Sequence, residues 1–307
     1  MVGWMRVINK EMHLVLLEKS KIEAELSAYF STSSRDLFPV ETLEIHESIS
    51  STNDQVRLLP KAKIEEIQCC FAEHQTQGRG RFQRVWTSPF GVNLMFSARI
   101  RVAKDMTALA GLSLCVGLSV LHTLKSFGIS EALCKWPNDI WVSGEKLGGI
   151  LIEAYFEKEP HETQKIDNLK GTDLKISELK FTELKITELI IGIGLNINQL
   201  EGDPSVNRPW TSMRKITGNL QDRNQIAAEL IKNLSFYLKK FMDKGFEVFQ
   251  EEWVKNDYLQ GRSLTLLLGN QEISGIARGV NLSGHLLLEH SDGVVQAYPA
   301  GEVSIKR

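Results

Sequence analysis

Cysteine is scarce in this chain, with only Cys69, Cys70, Cys115 and Cys134 among 307 residues. None forms a CxxC pair or stands at metal-ligand spacing from a histidine, which excludes a disulfide scaffold and a cysteine-based zinc site. Reduced thiols and a cytoplasmic setting are the expectation. Net charge is equally lacking: 36 Lys and Arg against 38 Asp and Glu leave a formal −2. That excludes a general electrostatic grip on DNA, RNA or acidic membrane, so recognition of any anion must be local. The longest predominantly apolar run, "ALAGLSLCVGLSVL" at 108–121, is too short for a bilayer and suits a buried helix. No N-terminal stretch has the order of a signal peptide. Missing too are GxxxxGK[ST], an early GxGxxG, HExxH and GxSxG. The commonest signatures of nucleotide, zinc-protease and serine-hydrolase chemistry are therefore absent.

What is present fits a soluble globular protein of about two domains, with 42% hydrophobic and 24% charged residues. Leu14, Leu17, Ile22 and Leu26 could share one side of a short helix, and "ETLEIHES" (41–48) alternates as a strand. Ser51, Thr52 or Asn53 would start a helix, followed by a helix-like piece from 61 and the strands "EIQCCFAEHQ" and "NLMFSARI". "DMTALAGLSLCVGLSVLHTLKSFG" reads as a core helix capped by Asp105 and stopped at Gly128. Residues 132–156 read as two strands turning at Ser143-Gly144. The cleanest amphipathic helix is "DRNQIAAELIKNLSFYLKKFMDKG", with Asp222 in front and Gly245 behind. A second helix, "FEVFQEEWVKNDYL", leads to Gly261, after which short strands turn at Gly269-Asn270, Ser283-Gly284 and Asp292-Gly293.

One stretch has no chemistry assigned to it. Leu169, Leu174, Leu179, Leu184 and Leu189 recur every five residues, a period that fills one face of neither a helix nor a strand. It reads as a repeat expanded within a surface hairpin loop at 157–189.

Three loops concentrate glycine, charge and amides. In "GRGR" (78–81) glycines let the backbone approach a ligand, while the forks of Arg79 and Arg81 can grip phosphate or carboxylate. Taken alone, a solvated basic hairpin explains that loop equally well. "KWPND" (135–139) and "GEKLGGILIE" place Lys135, Asn138, Asp139 and Lys146 around a strand-breaking proline and a double glycine. "GIGLNIN" (192–198) offers Asn196 as a hydrogen-bonding reader, although a glycine pair in a strand more often marks a bulge. Cys134, with no neighbouring histidine, reads as a core residue rather than a nucleophile.

Together these stretches resemble the biotin–protein ligase family. Ser51-Thr52-Asn53, "QTQGRGR" (75–81), "WTSPFGVNLMFS" (86–97), "KWPND", "KLGGILIE" (146–153) and "IGIGLNIN" (191–198) follow the family's order over about residues 40–307, apart from the repeat. The resemblance implies an α+β fold: a mixed or antiparallel sheet packed with helices, like a class II aminoacyl-tRNA synthetase catalytic domain, plus a small C-terminal SH3-like β-barrel. It divides the chain into an N-terminal extension (1–40), a catalytic domain (41–259) and a β-domain (260–307). It also implies an enzyme that joins biotin to ATP, with Mg²⁺, as biotinyl-5′-AMP. The biotinyl group then passes to one lysine of a carrier protein, typically of acetyl-CoA carboxylase.

By the same resemblance, Ser51, Thr52, Asn53, Gln75, Gly78, Arg79, Arg81, Lys146, Gly149, Ile150 and Gly192 line biotin and its activated carboxylate. Arg79, Arg81, Arg84, Trp86, Asn138, Lys146, Asn196 and Trp210 face the nucleotide. Arg79, Arg81 and Lys146 neutralise charge, and Asp139 orients or deprotonates the carrier lysine. No metal-ligand set is assigned. The family loop "GRGRxGR" has Gln83 here in place of its last glycine, a substitution that strains the backbone if φ is positive there. About 40 residues precede the ligase-like region without a recognisable recognition helix, so no DNA binding is expected. An exposed sheet edge could pair with a second copy. The competing readings are a lipoate or octanoate ligase or transferase of the same fold, and a non-catalytic biotin-responsive regulator.

Overall fold

The alternation and periodicity above become helices and strands in a computed structural model that describes residues 14–33, 37–158, 185–202 and 208–305. In chain order these are α1 (Lys19–Thr32), β1 (Val40–Ile49), α2 (Thr52–Leu58), β2 (Ile67–Gln75), β3 (Leu94–Val102) and α3 (Leu112–Ser126). There follow β4 (Leu133–Lys135), β5 (Asp139–Val142), β6 (Glu145–Lys158), β7 (Lys185–Leu195), α4 (Met213–Thr217), α5 (Arg223–Lys244) and α6 (Gln250–Asn256). The chain ends in β8 (Ser263–Leu268), β9 (Gln271–Val280), β10 (Leu286–Glu289), β11 (Val295–Tyr298) and β12 (Glu302–Ile305).

Seven strands form one mixed sheet in the order β1-β2-β3-β7-β6-β5-β4. Only β1 and β2 run parallel, joined through α2, and the other neighbours are antiparallel. The period of two gives the sheet unlike faces. Phe71, Phe96, Ile191 and Ile193 belong to the large core cluster beneath α1, α3 and α5. On the other face Cys70, Val56 and Ile190 form a small satellite cluster under α2. The register sets Ser97 opposite Gly192, and Gly192 opposite Leu151, on that second face. Small residues there leave room above the strands. A five-stranded antiparallel sheet, β11-β10-β9-β8-β12, closes the chain. Its Leu264 and Leu286 share the large cluster with Trp136 and Trp253, and the Trp136 indole N–H donates to Gly284 O at 3.0 Å.

Several expectations need correction. Helix α1 starts at Lys19 and carries Ile22 and Leu26, whereas Leu14 and Leu17 precede it in an irregular strap. There the Leu17 N–H donates to Glu73 Oε1 (2.6 Å), Arg223 Nε donates to Val15 O (2.8 Å) and Asn224 Nδ2 to Leu16 O (3.0 Å). Those backbone groups are taken by tertiary partners, so no helical ladder forms. Residues 61–66 hold a turn and no helix. Asp105 caps only a turn, accepting from Ala108 N at 3.0 Å, and α3 begins after Gly111 (φ 82°). A Cβ on Gly111 would lie 2.6 Å from Phe246 Cγ, so the chain there must pass close to that ring. The 132–156 stretch makes three strands rather than two, because a turn at residues 136–138, built around Pro137, separates β4 from β5. The glycines of β7 mark no bulge: the strand pairs in unbroken register with both neighbours. The five-residue repeat falls on 159–184, outside the described residues, apart from its last leucine in β7.

Candidate active site

On the open face of the large sheet lies a cavity of about 1050 Å³, walled on its far side by the C-terminal sheet. Its floor is made by α2 and the strand centres. Gln75 Oε1 accepts from the Thr52 backbone N–H at 2.7 Å and from its hydroxyl at 3.1 Å. Ser97 Oγ lies 2.7 Å from Thr52 Oγ1 and 2.6 Å from Asn53 Oδ1, and Asn53 Nδ2 donates to Glu153 Oε2 at 2.6 Å. Gly192 is needed beneath that network, since a Cβ there would stand 2.5 Å from Asn53 Oδ1. The floor is neutral, buried and fully hydrogen-bonding.

The arginine loop covers one side as a tight hairpin, with Gly80 N–H to Arg84 O at 2.7 Å and Trp86 N–H to Gly78 O at 2.9 Å. Gly78 does not line the cavity; its Cβ would meet Trp86 O at 2.4 Å, so the hairpin itself requires the glycine. Phe82 (φ 55°) and Gln83 (φ 56°) both occupy the left-handed region, each at a strain on the order of 1 kcal/mol. The condition set on Gln83 by the sequence is thus met. Arg79 makes a bidentate pair with Asp54 (2.7 and 2.7 Å) and reaches both oxygens of Glu153 at 3.3 Å. Its guanidinium holds the Asp54 carboxyl below the ordinary carboxylate range. Arg81 instead donates to Asn138 Oδ1 (3.4 Å) and Gly301 O (3.3 Å), while Arg84 pairs with Glu302 of β12.

KWPND and the double-glycine strand build the opposite wall. Asn138 Nδ2 donates to Ile150 O (2.7 Å), and Ile150 N–H returns to Asn138 O (2.9 Å), locking β5 to β6. Lys146 Nζ pairs with Asp139 Oδ1 at 2.6 Å and lies 5.5 Å from the centre of the Trp86 ring. Gly149 leaves just enough room for it: a Cβ would stand 3.3 Å from Nζ. Asn196 Nδ2 is fixed by Thr211 O (3.0 Å), and Trp210 carries Lys215 Nζ at 4.2 Å over its ring. Among the described residues the buried indole N–H groups of Trp86 and Trp141, both in this wall, have no acceptor. Apart from Gly78, every site residue expected from the sequence lines this one cavity.

Comparison with known proteins agrees with this arrangement. The model of the biotin/lipoate A/B protein ligase family matches residues 45–164, and that of the biotin protein ligase C-terminal domain matches 261–306. The bifunctional ligase/repressor BirA of Escherichia coli (strain K12) is 34% identical over 259 residues, covering 84% of this chain and 72% of that protein. The chain belongs to the biotin protein ligase family. The biotin--[acetyl-CoA-carboxylase] ligase of Mycobacterium tuberculosis is similar at 28% identity over 255 residues, covering 80% of this chain and 83% of that one. The biotin protein ligase from Aquifex aeolicus, solved in complex with biotin and ATP, matches with a TM-score of 0.69 and 27% identity, over 87% of this chain and 99% of that one.

For a member of the ligase family, several acidic residues that hold the cavity's cations escape a motif search, and of them only Glu302 itself lines the cavity. Asp54 sits in a short helix, Glu153 in a strand and Glu302 in the last strand, where acidic side chains ordinarily read as solvated. Their cationic partners lie 25, 74 and 218 positions away in sequence. Lys135 was visible as a charge, but its Nζ, 4.2 Å over the Trp141 ring, lies in a pocket that pushes its pKa down through burial, with Lys146 and Arg208 adding repulsion. Arg81 is likewise pushed down by burial. Trp141 and Tyr258 pack at 5.2 Å between ring centroids, bringing Arg262 onto the wall at 4.3 Å over Tyr258. The cysteines behave as expected: burial pushes Cys70 up to about 12 and Cys134 well above its ordinary value.

Proposed function

We propose that this chain is an ATP-dependent biotin–[biotin carboxyl-carrier protein] ligase. The observation that carries the reading is one cavity joining a neutral hydrogen-bonding floor to a wall of cations. Ser51, Thr52, Asn53 and Gln75 suit an uncharged ring bearing N–H and C=O groups. Arg81, Lys135 and Lys146 suit a carboxylate and a chain of phosphates. In the first step an oxygen of the biotin carboxylate attacks the α-phosphorus of ATP, and pyrophosphate leaves. Arg81 and Lys146 face the charge that gathers there, as fixed cations at the wall of a partly enclosed cavity. The Trp86 and Trp141 indoles offer two further donors, and Asn196, with its amide N–H engaged, offers its carbonyl oxygen to the base.

In the second step the neutral amine of a carrier lysine attacks the biotinyl carbonyl carbon. AMP leaves and an amide forms. Asp139 receives the amine's proton once the ligand phosphate draws Lys146 away from it. The fit of Mg²⁺ is limited: no group of three or more His, Cys, Asp or Glu among the described residues could hold a metal. Asp54, Asp139 and Glu302 are each ion-paired with a cation of the site. Mg²⁺ belongs here only as an ion carried by the nucleotide, and no step depends on a resident site.

The reading places the enzyme in the cytoplasm, with a carboxylase carrier domain as protein substrate and no DNA contact. A second copy pairs along an exposed sheet edge. No helix among the described residues is long and apolar enough to cross a membrane. Incubation with biotin and α-labelled ATP tests the first step. Biotinyl-5′-AMP and pyrophosphate should appear together and only when biotin is present. Faster product with lipoate than with biotin would move the chain to the lipoate branch.

A further inference from the structure

We propose that Asp54 and Glu153 are positioning residues that hold Arg79 as the pin of the arginine loop, leaving Arg81 to meet the ligand phosphate. The proposal rests on the ligase reading and divides labour between two arginines that the sequence treats alike. Their surroundings are opposite. Arg79 meets both oxygens of Asp54 and both of Glu153, so the trio sums to −1 and repels an incoming phosphate. Drawing Arg79 onto a ligand would also strip two carboxylates of their cation, including Glu153, whose side chain is only 25% exposed. Among the described residues Arg81 has only an amide oxygen and a backbone carbonyl as hydrogen-bond acceptors, at 3.4 and 3.3 Å. A partly buried guanidinium without a carboxylate at hydrogen-bond distance is a ready anion site, because an arriving phosphate restores what desolvation removed.

The pin is connected to the floor. Glu153 accepts from Asn53 Nδ2 at 2.6 Å while Asn53 Oδ1 lies 2.6 Å from Ser97 Oγ, directly above Gly192. At its other end Arg79 is bridged through its backbone to Val85, across the base of the hairpin. Loop position and ring seat are therefore joined by one hydrogen-bonded chain: Val85, Arg79, Glu153, Asn53, Ser97. Loosening the pin should disturb the seat of the ring more than the grip on phosphate.

The test compares wild-type enzyme with D54N, D54N/E153Q and R81Q in carrier labelling, measuring KM for biotin and for ATP separately. Hydrogen exchange over residues 78–86 is followed in the same ligand-free proteins. The double variant should raise the biotin KM about tenfold, keep the ATP KM within about twofold, and speed loop exchange. R81Q should raise the ATP KM about tenfold and speed loop exchange less than the double variant does, since Arg84 still holds the loop to Glu302. D54N alone removes a half-exposed carboxylate and should show the same pattern, more weakly, if the double variant does not fold. A lower ATP KM in D54N or D54N/E153Q with unchanged loop exchange would overturn the proposal, since Arg79 once released would then be serving phosphate. Unchanged biotin KM and loop exchange in both would overturn it as well. If the wild type itself labels no carrier, the ligase reading fails, and the exchange arm still decides whether the carboxylates pin the loop.

Discussion

Gly192 matters through the atom it lacks. An added Cβ would stand 2.5 Å from Asn53 Oδ1, and Asn53 must then give way within a network of short hydrogen bonds. Gly192→Ala is expected to raise the biotin KM by about tenfold or more, because small displacements of positioning groups are costly. Thermal unfolding should show the fold retained. Lys146→Gln should lower the rate of adenylate formation by about 100-fold, the usual scale for losing one charge-stabilising donor; rapid-quench measurement of biotinyl-5′-AMP checks it. At this scale the sequence was legible where a residue looks expensive. Arginines between glycines and a lysine before a double glycine stabilise nothing locally, so they point to a ligand. Asp54, Glu153 and Glu302 look ordinary in sequence, because their meaning comes from strand register and loop closure across distant parts of the chain. Gly78 was placed at the ligand by resemblance, whereas the hairpin's backbone contact is what requires it.

Elements whose own period fixes them were read correctly, and those set by tertiary partners were not. Helix α5 has its apolar stripe, its Asp222 cap (accepting from Asn224 N at 2.9 Å) and Gly245 at φ 71°, all visible beforehand. The strap at 14–18 was misread as helix because its backbone is claimed by Arg223, Asn224 and Glu73. Arg223 is fully buried and pairs with Glu73, with Asn93 O as a further acceptor at 2.7 Å. Glu73→Gln leaves that guanidinium without its counter-charge and should destabilise the protein by about 3 kcal/mol or more. Urea unfolding of the variant against wild type measures the loss. A change below about 1 kcal/mol would mean that the strap is not held by this pair.

At the scale of the whole molecule, the two sheets act together. The arginine loop rests on the C-terminal sheet through Arg81 to Gly301 O and through Arg84 to Glu302, and both sheets share one hydrophobic cluster. Where α6 hands over to β8, Asp257 is 8% exposed and burial raises its carboxyl from 3.8 to about 6. The folded state thus binds the proton more tightly than the unfolded chain. Stability should fall as pH rises from about 4 to about 6, by about 3 kcal/mol in all. Asp257→Asn should flatten that window in denaturation curves taken at several pH values; an unchanged slope would place the titration elsewhere. Neither this junction nor the docking of loop on sheet could be read from motifs, since each depends on how separate segments pack.

The decisive observation concerns the carrier. Labelled biotin, ATP and a purified biotin carrier domain are incubated with the enzyme, beside a carrier whose acceptor lysine is replaced by arginine. Label should pass to the intact carrier only when ATP is present, and the lysine-to-arginine carrier should stay unlabelled. Biotin bound without any transfer to the intact carrier would contradict a ligase and leave a biotin-binding protein in its place.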